Sequence, residues 1–444
     1  MNYSQKLNKL IPGGAHTYSR GDDQYPENAP QILVKGKGCY VWDDQNNKYL
    51  DYGMALRANI LGYANDEIDE AAYQGAKQGN NLTRASVVEL NAAELITKII
   101  PGADMVKFAK NGSNVVSAAI KLARAYTGRN YIARCAEHPF FSFDDWFISD
   151  TPMKKGIPEE VSKLTLSFKY NNIESVQRLF DEYPNEISCI ILQPAESIEP
   201  SGCENCNCDE ICESEDNFLH KVKKLCEENG ALFILDEMIT GFRWHLSGAQ
   251  KKYNVVADLA TFGKAMANGY SVAALTGRRD VMNLGSIKEE GAERVFLVST
   301  THGAEMNGLA AFIKTVELFK KNNVIEHIWD YGKKLTEGMN QIAKDLNISE
   351  NFKMVGVSCS PNYLTYDKQG NKSLALRTLF SQEMIKNGVL IPWISISYSH
   401  GEKELEITLE ATRKSLEVFK KALNEGVEKY LVGDIIKPVF RKYN

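Results

Sequence analysis

Short apolar runs alternate with amphipathic stretches through the middle of the chain, and this alternation predicts a parallel β-sheet covered by helices. Residues 105–112 have the pattern of a strand that runs into a turn, after which apolar side chains recur at helical spacing until Gly128. Further strands are predicted at 131–135, 187–192 and 231–237, and the last of these ends in two acidic residues. The pattern indicates an α/β domain.

The remaining periodicity predicts helices on both sides of this sheet and a second domain after it. Asp216 is the expected N-cap of a helix that ends at Gly230. Residues 305–346 are mostly helical in pattern, with a break near Asn322 and Asn323. The last hundred residues mix two strand-like runs with a final amphipathic helix, which predicts a compact α+β domain: 362–366, 388–398 and 402–424.

Composition narrows the classes of protein to consider. At 444 residues the chain is longer than one hydrophobic core usually organises, so two domains are expected. Hydrophobic residues make up 43% and charged residues 25%, values that exclude a disordered or fibrous chain. The net charge of −5 argues against nucleic acid or an anionic membrane as a partner. Since the sequence has neither a membrane-spanning apolar run nor a signal-peptide core, we expect a cytoplasmic protein.

A carboxylate and a lysine stand out between residues 233 and 269. A buried apolar strand ends at Asp236, and Lys264 follows 28 residues later between Gly263 and Ala265. Ligands of parallel α/β sheets bind at the carboxyl ends of the strands. Pyridoxal phosphate (PLP) takes a lysine on its aldehyde and a carboxylate near its ring nitrogen. The pair therefore predicts a PLP site.

The turn at 111–114 supplies a place for the phosphate of such a cofactor. Gly112 and Ser113 stand at the predicted start of a helix, where free N–H groups and the helix dipole favour an anion. Each of the three features alone has a commoner structural explanation. Acids at the end of a strand usually form part of the polar surface, a lone lysine is usually solvated, and a Gly-Ser helix start is usually a helix cap. The order and spacing of the three together favour the cofactor site.

Two stretches around these residues resemble the signature of the class III PLP-dependent aminotransferases. They are LDEMITGFRW (235–244) and DLATFGKAMANGY (258–270), and the likeness continues at 11–20, 38–64 and 111–129. Within that family the chain is most similar to the glutamate-1-semialdehyde 2,1-aminomutases. The resemblance implies an α/β enzyme of PLP fold type I, with a mainly parallel seven-stranded sheet in a large domain, a smaller α+β domain and a homodimer. The implied divisions are an N-terminal segment of the small domain, the PLP-binding domain and the C-terminal small domain: 1–75, 76–310 and 311–444.

The resemblance also implies roles for individual residues. Lys264 would form the Schiff base with the cofactor and shuttle protons, and Asp236 would pair with the pyridinium nitrogen. Met238 would pack against the face of the ring, while Gly112 and Ser113 would hold the phosphate.

Other positions of the family pattern are matched less closely. Thr300, or Thr301 one residue later, would reach the phosphate of the neighbouring subunit. Arg20 falls where the aminomutases have an arginine for the substrate carboxylate, although a mobile surface arginine is an equal alternative. His138 fits the histidine of an aromatic-His-Gly triplet, but Glu137 and Pro139 replace its neighbours, so His138 itself or Phe140 would cover the ring. The family's Glu-Pro and Gly-Asn-Pro are replaced by Gln193-Pro194 and Gly303-Ala304-Glu305, so the substrate does not have to be glutamate semialdehyde.

Four of the nine cysteines fall within ten residues, in a stretch about ten residues longer than in relatives. Cys203, Cys206, Cys208 and Cys212 are close enough in sequence to bind one metal ion, and thiolates bind zinc tightly. Their spacing is not the paired pattern of known zinc motifs, so a redox-labile loop is the alternative to a structural zinc site.

Three functions follow from these observations. The leading hypothesis is a transaminase that moves an amino group from a donor, expected to be glutamate, to a carbonyl acceptor. The alternative is the intramolecular aminomutase reaction, which the match at Arg20 favours. A non-catalytic relative that uses the cysteine loop to bind metal is the least favoured, because it would have no reason to retain both Asp236 and Lys264.

Overall fold

A computed structural model describes residues 2–203 and 211–444. The β-strands are β1 Leu33–Lys37, β2 Tyr40–Asp43, β3 Lys48–Asp51, β4 Met105–Ala109, β5 Tyr131–Cys135, β6 Thr165–Phe168, β7 Ile187–Leu192, β8 Leu232–Glu237, β9 Leu259–Phe262, β10 Ala273–Gly277, β11 Phe352–Val355, β12 Asn362–Thr365 and β13 Val389–Leu390. The α-helical segments are α1 Tyr3–Leu10, α2 Met54–Arg57, α3 Asp66–Lys77, α4 Val87–Ile99, α5 Gly112–Thr127, α6 Asp145–Ile148, α7 Glu159–Ser162, α8 Ile173–Glu182, α9 Phe218–Glu228, α10 Ala249–Lys252, α11 Arg279–Met282, α12 Met306–Asn322, α13 Val324–Asp345, α14 Leu374–Lys386 and α15 Glu402–Glu425. Short 3₁₀ turns lie at Tyr18–Arg20, Asp22–Gln24, Lys264–Ala267, Asn283–Gly285 and Val427–Lys429.

The described residues form two compact units. The central unit is Asp66–Glu326, and the terminal unit combines Met1–Asn65 with His327–Asn444. No helix within the described ranges is long and apolar enough to cross a membrane.

The central unit is built on a seven-stranded sheet in the order β4-β10-β9-β8-β7-β5-β6. Strand β10 runs antiparallel to both of its neighbours, and the other pairs are parallel. Six strands therefore point the same way and end at one edge of the sheet. The prediction of a mainly parallel seven-stranded α/β sheet is confirmed.

Burial explains why the central strands read as continuous apolar runs. Every residue of β7 and β8 is buried, as expected for parallel strands covered on both faces. Helix α5 is buried along one face, and Gly128 ends it in the left-handed conformation, where glycine is least strained. Asn323 takes the same conformation between α12 and α13, which accounts for the predicted break in the helical pattern.

The terminal unit contains a four-stranded sheet in the order β1-β2-β3-β13 and a separate hairpin of β11 and β12. Its helices include α14 and the long α15. The Tyr52 hydroxyl shares hydrogen bonds with those of Tyr331, at 2.6 Å, and Thr408, at 2.7 Å, so it joins the end of β3 to α13 and α15. The mixture of strands and helices agrees with the α+β pattern of the last hundred residues.

Two local predictions need correction. The N-cap of α9 is Asn217, whose side-chain oxygen accepts from the His220 N–H, whereas Asp216 forms an ion pair with Lys221. In the run 388–398 only Val389–Leu390 forms a strand. The following residues bond singly to other loops, as when the Ser395 N–H donates to the Tyr52 carbonyl, because Pro392 has no N–H to continue the ladder.

Candidate active site

The parallel strands bring most of the predicted site residues to one edge of the central sheet. Since β4, β5, β7, β8 and β9 point in the same direction, the residues at or just beyond their carboxyl ends lie along that edge: Asn111, His138, Gln193, Asp236 and Lys264. This is the edge at which sheets of this kind bind ligands.

Asp236 occupies the centre of this edge, at the end of β8. Strand pairing sets it beside Thr261 of β9, and Lys264 follows Thr261 by three residues. One carboxylate oxygen, Oδ1, accepts from the Met238 N–H at 2.9 Å and from the Thr261 hydroxyl at 3.3 Å. The side chain is held in one orientation by these two donors.

Burial makes the Asp236 carboxyl a weaker acid than an exposed aspartic acid. The residue is only 1% exposed, and burial raises the pKa of its carboxyl to about 6, against the opposing effects of the Met238 N–H, the positive charge of Lys264 and the Thr261 hydroxyl. A buried carboxylate is stabilised when a cation is placed against it. The protonated ring nitrogen of pyridoxal phosphate is such a cation.

Lys264 lies in a strained backbone conformation. Its φ is +45°, a left-handed value that costs a residue other than glycine about 1–3 kcal/mol and is found most often at functional sites. The residue opens the short turn Lys264–Ala267 directly after β9, and it is half-buried. The turn therefore fixes where the side chain leaves the end of the strand.

Met238 joins the lysine turn to the start of α5. A Cβ atom added at Gly263 would come within 2.7 Å of the Met238 sulfur, and one added at Gly112 would come within 2.8 Å. Neither position has room for a side chain, so the two glycines allow both backbones to approach Met238. The predicted ring-packing and phosphate-binding residues are therefore neighbours.

The start of α5 presents backbone donors. The Asn111 side chain caps the helix by accepting from the Asn114 N–H at 3.0 Å. Gly112 and Ser113 are the first two helical residues, whose N–H groups have no partner within the helix. The Ser113 hydroxyl accepts from the Phe143 N–H at 3.1 Å, which fixes the side chain at this end of the helix.

His138 and Gln193 form a buried pair at the same edge. The Gln193 N–H donates to His138 Nδ1 at 3.0 Å, and burial lowers the pKa of the imidazole to about 3. The ring is therefore neutral, with its proton on Nε2. Within the described residues, Oε1 of the Gln193 side chain is buried with no hydrogen-bond partner. A bound molecule that donates a hydrogen bond would satisfy it. The sequence marked Gln193 only as a departure from the family pattern.

The residues beside His138 face other parts of the fold. The Glu137 carboxylate accepts a hydrogen bond from the Tyr170 N–H at 3.0 Å. Glu137 therefore does not take the place of the ring-stacking aromatic residue of the family pattern. Phe140 packs edge-on against Phe147, with 5.7 Å between the ring centroids, and remains 44% exposed.

Thr300 is exposed in a stretch without regular secondary structure before α12. The stretch is attached to the central sheet through Glu305, whose carboxylate forms an ion pair with Lys110 at 2.6 Å. Lys110 lowers the pKa of Glu305 and follows β4 directly. Glu305, which replaces a proline of the family pattern, therefore fixes the loop near the start of α5.

Arg20 belongs to the terminal unit, where it lines a cavity of about 950 Å³ together with Tyr25, Asp51 and Tyr63. Within the described residues the Arg20 guanidinium has no hydrogen bond or ion pair, and the side chain is exposed. Burial raises the pKa of Tyr25, with Asp51 adding to the effect and the charge of Arg20 opposing it. Arg20 is therefore a cation available to an anionic ligand.

Asp51 lines the same cavity and accepts three hydrogen bonds there. Its carboxylate accepts from the Tyr63 hydroxyl at 2.6 Å, from the Gly53 N–H at 2.7 Å and from the Met54 N–H at 3.1 Å. These bonds fix the start of α2, which is one turn with φ between +40° and +70° at all four residues. Such a run is strained without supporting contacts, and Asp51 supplies them. The local sequence gave no sign of this turn.

The cysteine cluster is not supported as a zinc site. Cys203 and Cys212 form a disulfide, so neither is a free thiolate, and both are buried. Cys206 and Cys208 lie outside the described residues. Within 2–203 and 211–444, no group of three or more potential ligands is arranged to hold a metal ion. The alternative interpretation, a redox-labile loop, stays a prediction.

Comparisons with known proteins agree with this geometry. Residues 23–423 match the model of the family described as aminotransferase class III. The chain is 31% identical to a glutamate-1-semialdehyde 2,1-aminomutase of Francisella philomiragia, with 92% of this chain and 96% of the relative covered. It is also 31% identical to a 3-aminobutyryl-CoA aminotransferase of Cloacimonas acidaminovorans, with 95% and 98% covered.

Solved structures give the same result. The FumI protein of Sphingopyxis sp. MTA144, in a PLP internal-aldimine form, superposes with a TM-score of 0.83 and 25% identity over 95% of this chain and 97% of that one. A glutamate-1-semialdehyde aminomutase of Pseudomonas aeruginosa PAO1 superposes with a TM-score of 0.78 and 14% identity over 94% of each chain, which shows a shared fold. The chain therefore belongs to the class III aminotransferases, which are enzymes of PLP fold type I that use pyridoxal phosphate to move amino groups.

Proposed function

We propose that this enzyme is an intermolecular transaminase that takes an amino group from glutamate and gives it to a separate carbonyl acceptor. The proposal depends mainly on the buried Asp236 at the end of β8, with Lys264 beyond the end of the adjacent β9. Gln193 and Glu305 replace residues of the aminomutase pattern. Within the described residues the Gln193 Oε1 has no hydrogen-bond partner, whereas Glu305 forms an ion pair with Lys110. These departures favour a substrate other than glutamate 1-semialdehyde.

The residues present fit pyridoxal phosphate. The dianionic phosphate suits the N–H groups of Gly112 and Ser113, and a protonated ring nitrogen suits the buried Asp236 carboxylate. Met238 lies against both Gly112 and Gly263, and a side chain at either glycine would meet the Met238 sulfur. When bound, the cofactor supplies an electron-accepting ring that stabilises negative charge at the substrate Cα.

Lys264 carries out the proton transfer in this proposal. Its Nζ would hold the aldehyde of the cofactor, and as a free amine it would take the proton from the substrate Cα. Asp236 favours the protonated ring nitrogen, and the neutral His138 adds no charge that would compete with it. Arg20 binds the substrate carboxylate, since a guanidinium and a carboxylate can form two parallel hydrogen bonds.

The alternative reaction is the intramolecular aminomutase reaction, and the position of Arg20 favours it. The experiment that separates the two uses glutamate alone. A transaminase converts its cofactor to the amine form and releases 2-oxoglutarate in stoichiometric amount. An enzyme that is inert with glutamate but isomerises glutamate 1-semialdehyde is the aminomutase, and that result would refute our proposal.

The lysine assignment has its own test. Borohydride reduction of the holoenzyme should add the mass of reduced cofactor to the peptide that contains Lys264. Lys264→Ala should lose activity by at least about 10³-fold. Lys107→Ala, which removes an exposed lysine of β4, is the matched control and should retain activity. Turnover by the Lys264→Ala protein would contradict the assignment.

We further propose a homodimer in which Thr300 contacts the phosphate bound by the partner. In support, Thr300 is exposed, and the same irregular stretch exposes Ile287 and Phe296 by 74% and 73%. Sedimentation should give twice the chain mass, and Thr300→Ala should weaken cofactor binding. A monomer with full cofactor affinity would refute this. A cytoplasmic location is also proposed. Five buried cysteines of the described residues are free and support it, the Cys203–Cys212 disulfide argues against it, and cell fractionation tests it.

A further inference from the structure

The side-chain amide of Gln193 is a buried polar group that the proposed reaction leaves unused. Gln193 is 2% exposed, and within the described residues its Oε1 is enclosed without a hydrogen-bond partner. Buried polar groups are nearly always paired, because an unpaired one costs the free energy of its desolvation. A buried amide at the edge where ligands bind is therefore available to a bound molecule.

The backbone around Gln193 is fixed on both sides of the residue. The Gln193 N–H donates to His138 Nδ1 at 3.0 Å. The carbonyl of the next residue, Pro194, accepts from the Tyr170 hydroxyl at 2.6 Å, and the Tyr170 ring lies 5.2 Å from the His138 ring. Pro194 also restricts the backbone of the residue before it. The Gln193 side chain therefore leaves the sheet edge from a fixed position.

Strand pairing sets Gln193 beside Asp236. Leu192, at the end of β7, pairs with Leu235 of β8 in parallel register, so Gln193 and Asp236 are the next residues of the two strands. Neighbouring residues in this register point to the same face of the sheet, with the strands about 4.8 Å apart. The amide therefore lies one strand away from the carboxylate assigned to the ring nitrogen.

The residues assigned to the phosphate and the aldehyde lie on the other side of Asp236. Strand β9 flanks β8 opposite β7, and it leads into Gly263 and Lys264. A Cβ added at Gly263 would come within 2.7 Å of the Met238 sulfur, and one added at Gly112 would come within 2.8 Å of the same atom. The start of α5 is therefore next to the lysine turn, and the β7 side is away from both.

The order of the groups on the pyridoxal phosphate ring then matches Gln193 to one atom. The phosphate arm and the 3-oxygen are attached on opposite sides of the line that joins the ring nitrogen to the aldehyde carbon. With the nitrogen at Asp236 and the phosphate at Gly112 and Ser113, the 3-oxygen points toward β7. The ring methyl group on that side cannot form a hydrogen bond, so the 3-oxygen is the partner that the Gln193 amide can have.

We propose that the Gln193 amide binds the 3-oxygen of pyridoxal phosphate. The inference deepens the proposed function and depends on the placement of the ring nitrogen at Asp236. An amide suits both states of this oxygen: Oε1 accepts from the hydroxyl, and after a half-turn of the amide Nε2 donates to the ionised oxygen. An ionised glutamate, the residue of the family pattern, can only accept, and it repels an ionised oxygen. Glutamine removes that repulsion.

The test uses two ligands that cannot react with Lys264. 4-Deoxypyridoxine 5′-phosphate has a methyl group in place of the aldehyde and retains the ring nitrogen, the phosphate and the 3-hydroxyl. Its 3-deoxy counterpart lacks the hydroxyl. Calorimetry on the full chain without cofactor gives both dissociation constants, and their ratio is the preference for the hydroxyl. Differences between the ligands that do not involve Gln193 cancel when this preference is compared between wild type and variants.

We expect Gln193→Met to lower the preference for the hydroxyl by about tenfold or more relative to wild type. Gln250→Met is the matched control, because Gln250 is 1% exposed and also has an unpaired amide atom, Nε2, but lies in α10. Its preference should stay within about twofold of wild type. An unchanged preference in Gln193→Met, or an equal loss in Gln250→Met, would overturn the inference. If Gln193→Met does not fold, Gln193→Leu is judged by the same criterion.

Unfolding in urea distinguishes this contact from a purely structural role. Without cofactor, Gln193→Met replaces an unpaired polar group by an apolar one of similar size, so its urea midpoint should equal or exceed that of wild type. Gln250→Met should lower the midpoint, since Gln250 Oε1 accepts from the Ala257 N–H at 3.3 Å. A lower midpoint in Gln193→Met would show that the fold itself needs the amide, and the inference would fail.

Asp236→Asn separates failure of this inference from failure of the proposed function. The variant should weaken the binding of both ligands, because each retains the ring nitrogen. If neither is weakened, the cofactor placement fails and the inference fails with it. If both are weakened but Gln193→Met leaves their ratio unchanged, only the contact with the 3-oxygen is refuted. An enzyme that is inert with glutamate but shows the Gln193 effect refutes the transaminase proposal and leaves the contact intact.

Discussion

Replacement of Asp236 by asparagine tests the assignment of the cofactor site through a pH-dependent change in stability. The side chain is 1% exposed, and burial raises the pKa of its carboxyl from the ordinary value near 3.8 to about 6. Asparagine has nearly the same shape and cannot ionise. The difference in stability between wild type and Asp236→Asn therefore isolates the ionisation of this one group.

The magnitude follows from the shift in pKa. A difference of about 2 units corresponds to roughly 3 kcal/mol, at 1.36 kcal/mol for each unit. Since the folded protein binds the proton more tightly than the unfolded chain, stability falls as the pH rises from about 4 to about 6 and then levels off. In the cofactor-free protein, Asp236→Asn should therefore be more stable than wild type by up to about 3 kcal/mol at pH 8. The advantage should be about half as large at pH 5.

Urea unfolding of the cofactor-free proteins at pH 5 and pH 8 measures this difference. Asp216→Asn is the control, because the Asp216 side chain is 86% exposed and its replacement should change the free energy of unfolding by less than about 0.5 kcal/mol at both pH values. An Asp236→Asn advantage that stays constant or shrinks as the pH rises would show that the carboxyl is not the buried, raised-pKa group described here.

Addition of pyridoxal phosphate should reduce the advantage of Asp236→Asn over wild type. A cation beside the buried carboxylate offsets the desolvation of Asp236, so the cofactor should stabilise wild type more than Asp236→Asn at pH 8. Thermal unfolding with and without cofactor measures this. Equal stabilisation of the two proteins would mean that Asp236 does not face the ring nitrogen.

Three further predictions concern other parts of the central unit. Gly112→Ala places a Cβ within 2.8 Å of the Met238 sulfur and should weaken pyridoxal phosphate binding about tenfold in equilibrium dialysis. Cys203→Ser opens the disulfide to Cys212 and should lower the free energy of unfolding by about 2–3 kcal/mol, whereas a metal chelator should leave the melting temperature unchanged. Gln193→Glu buries a third carboxyl at this edge of the sheet, beside those of Asp236 and Glu237, and should lower stability at pH 8 more than at pH 5, measured by urea unfolding.

Features that depend on local pattern could be predicted from the sequence. The buried run 231–237 indicated a strand that ends in acids, and β8 places Asp236 at the sheet edge. The helix after residue 112 and the break near Asn323 followed from periodicity and from residues that tolerate a left-handed conformation. In each of these positions a few neighbouring residues determine the backbone.

Features that depend on distant partners could not be predicted. Asp216 and Asn217 are both good caps, and the choice is decided by the burial of Asn217, whose amide donates to the Tyr253 carbonyl at 3.1 Å. The cysteine spacing predicted either a metal site or a redox-labile loop, and it did not indicate the Cys203–Cys212 disulfide, because spacing alone does not determine which thiols meet. The left-handed turn α2 depends on Tyr63, which bonds to both Asp51 and the Ala55 N–H. Local propensity alone disfavours that turn.

The same distinction separates the candidate cofactor residues from the cavity that Arg20 lines. Asp236, Lys264 and Gly112 lie within the matched region and depend on local strand and helix ends. The wall of the Arg20 cavity depends on hydrogen bonds between residues more than four hundred positions apart, such as the one from the Gln24 amide to the Lys437 carbonyl. No local pattern in the sequence could therefore have indicated this cavity.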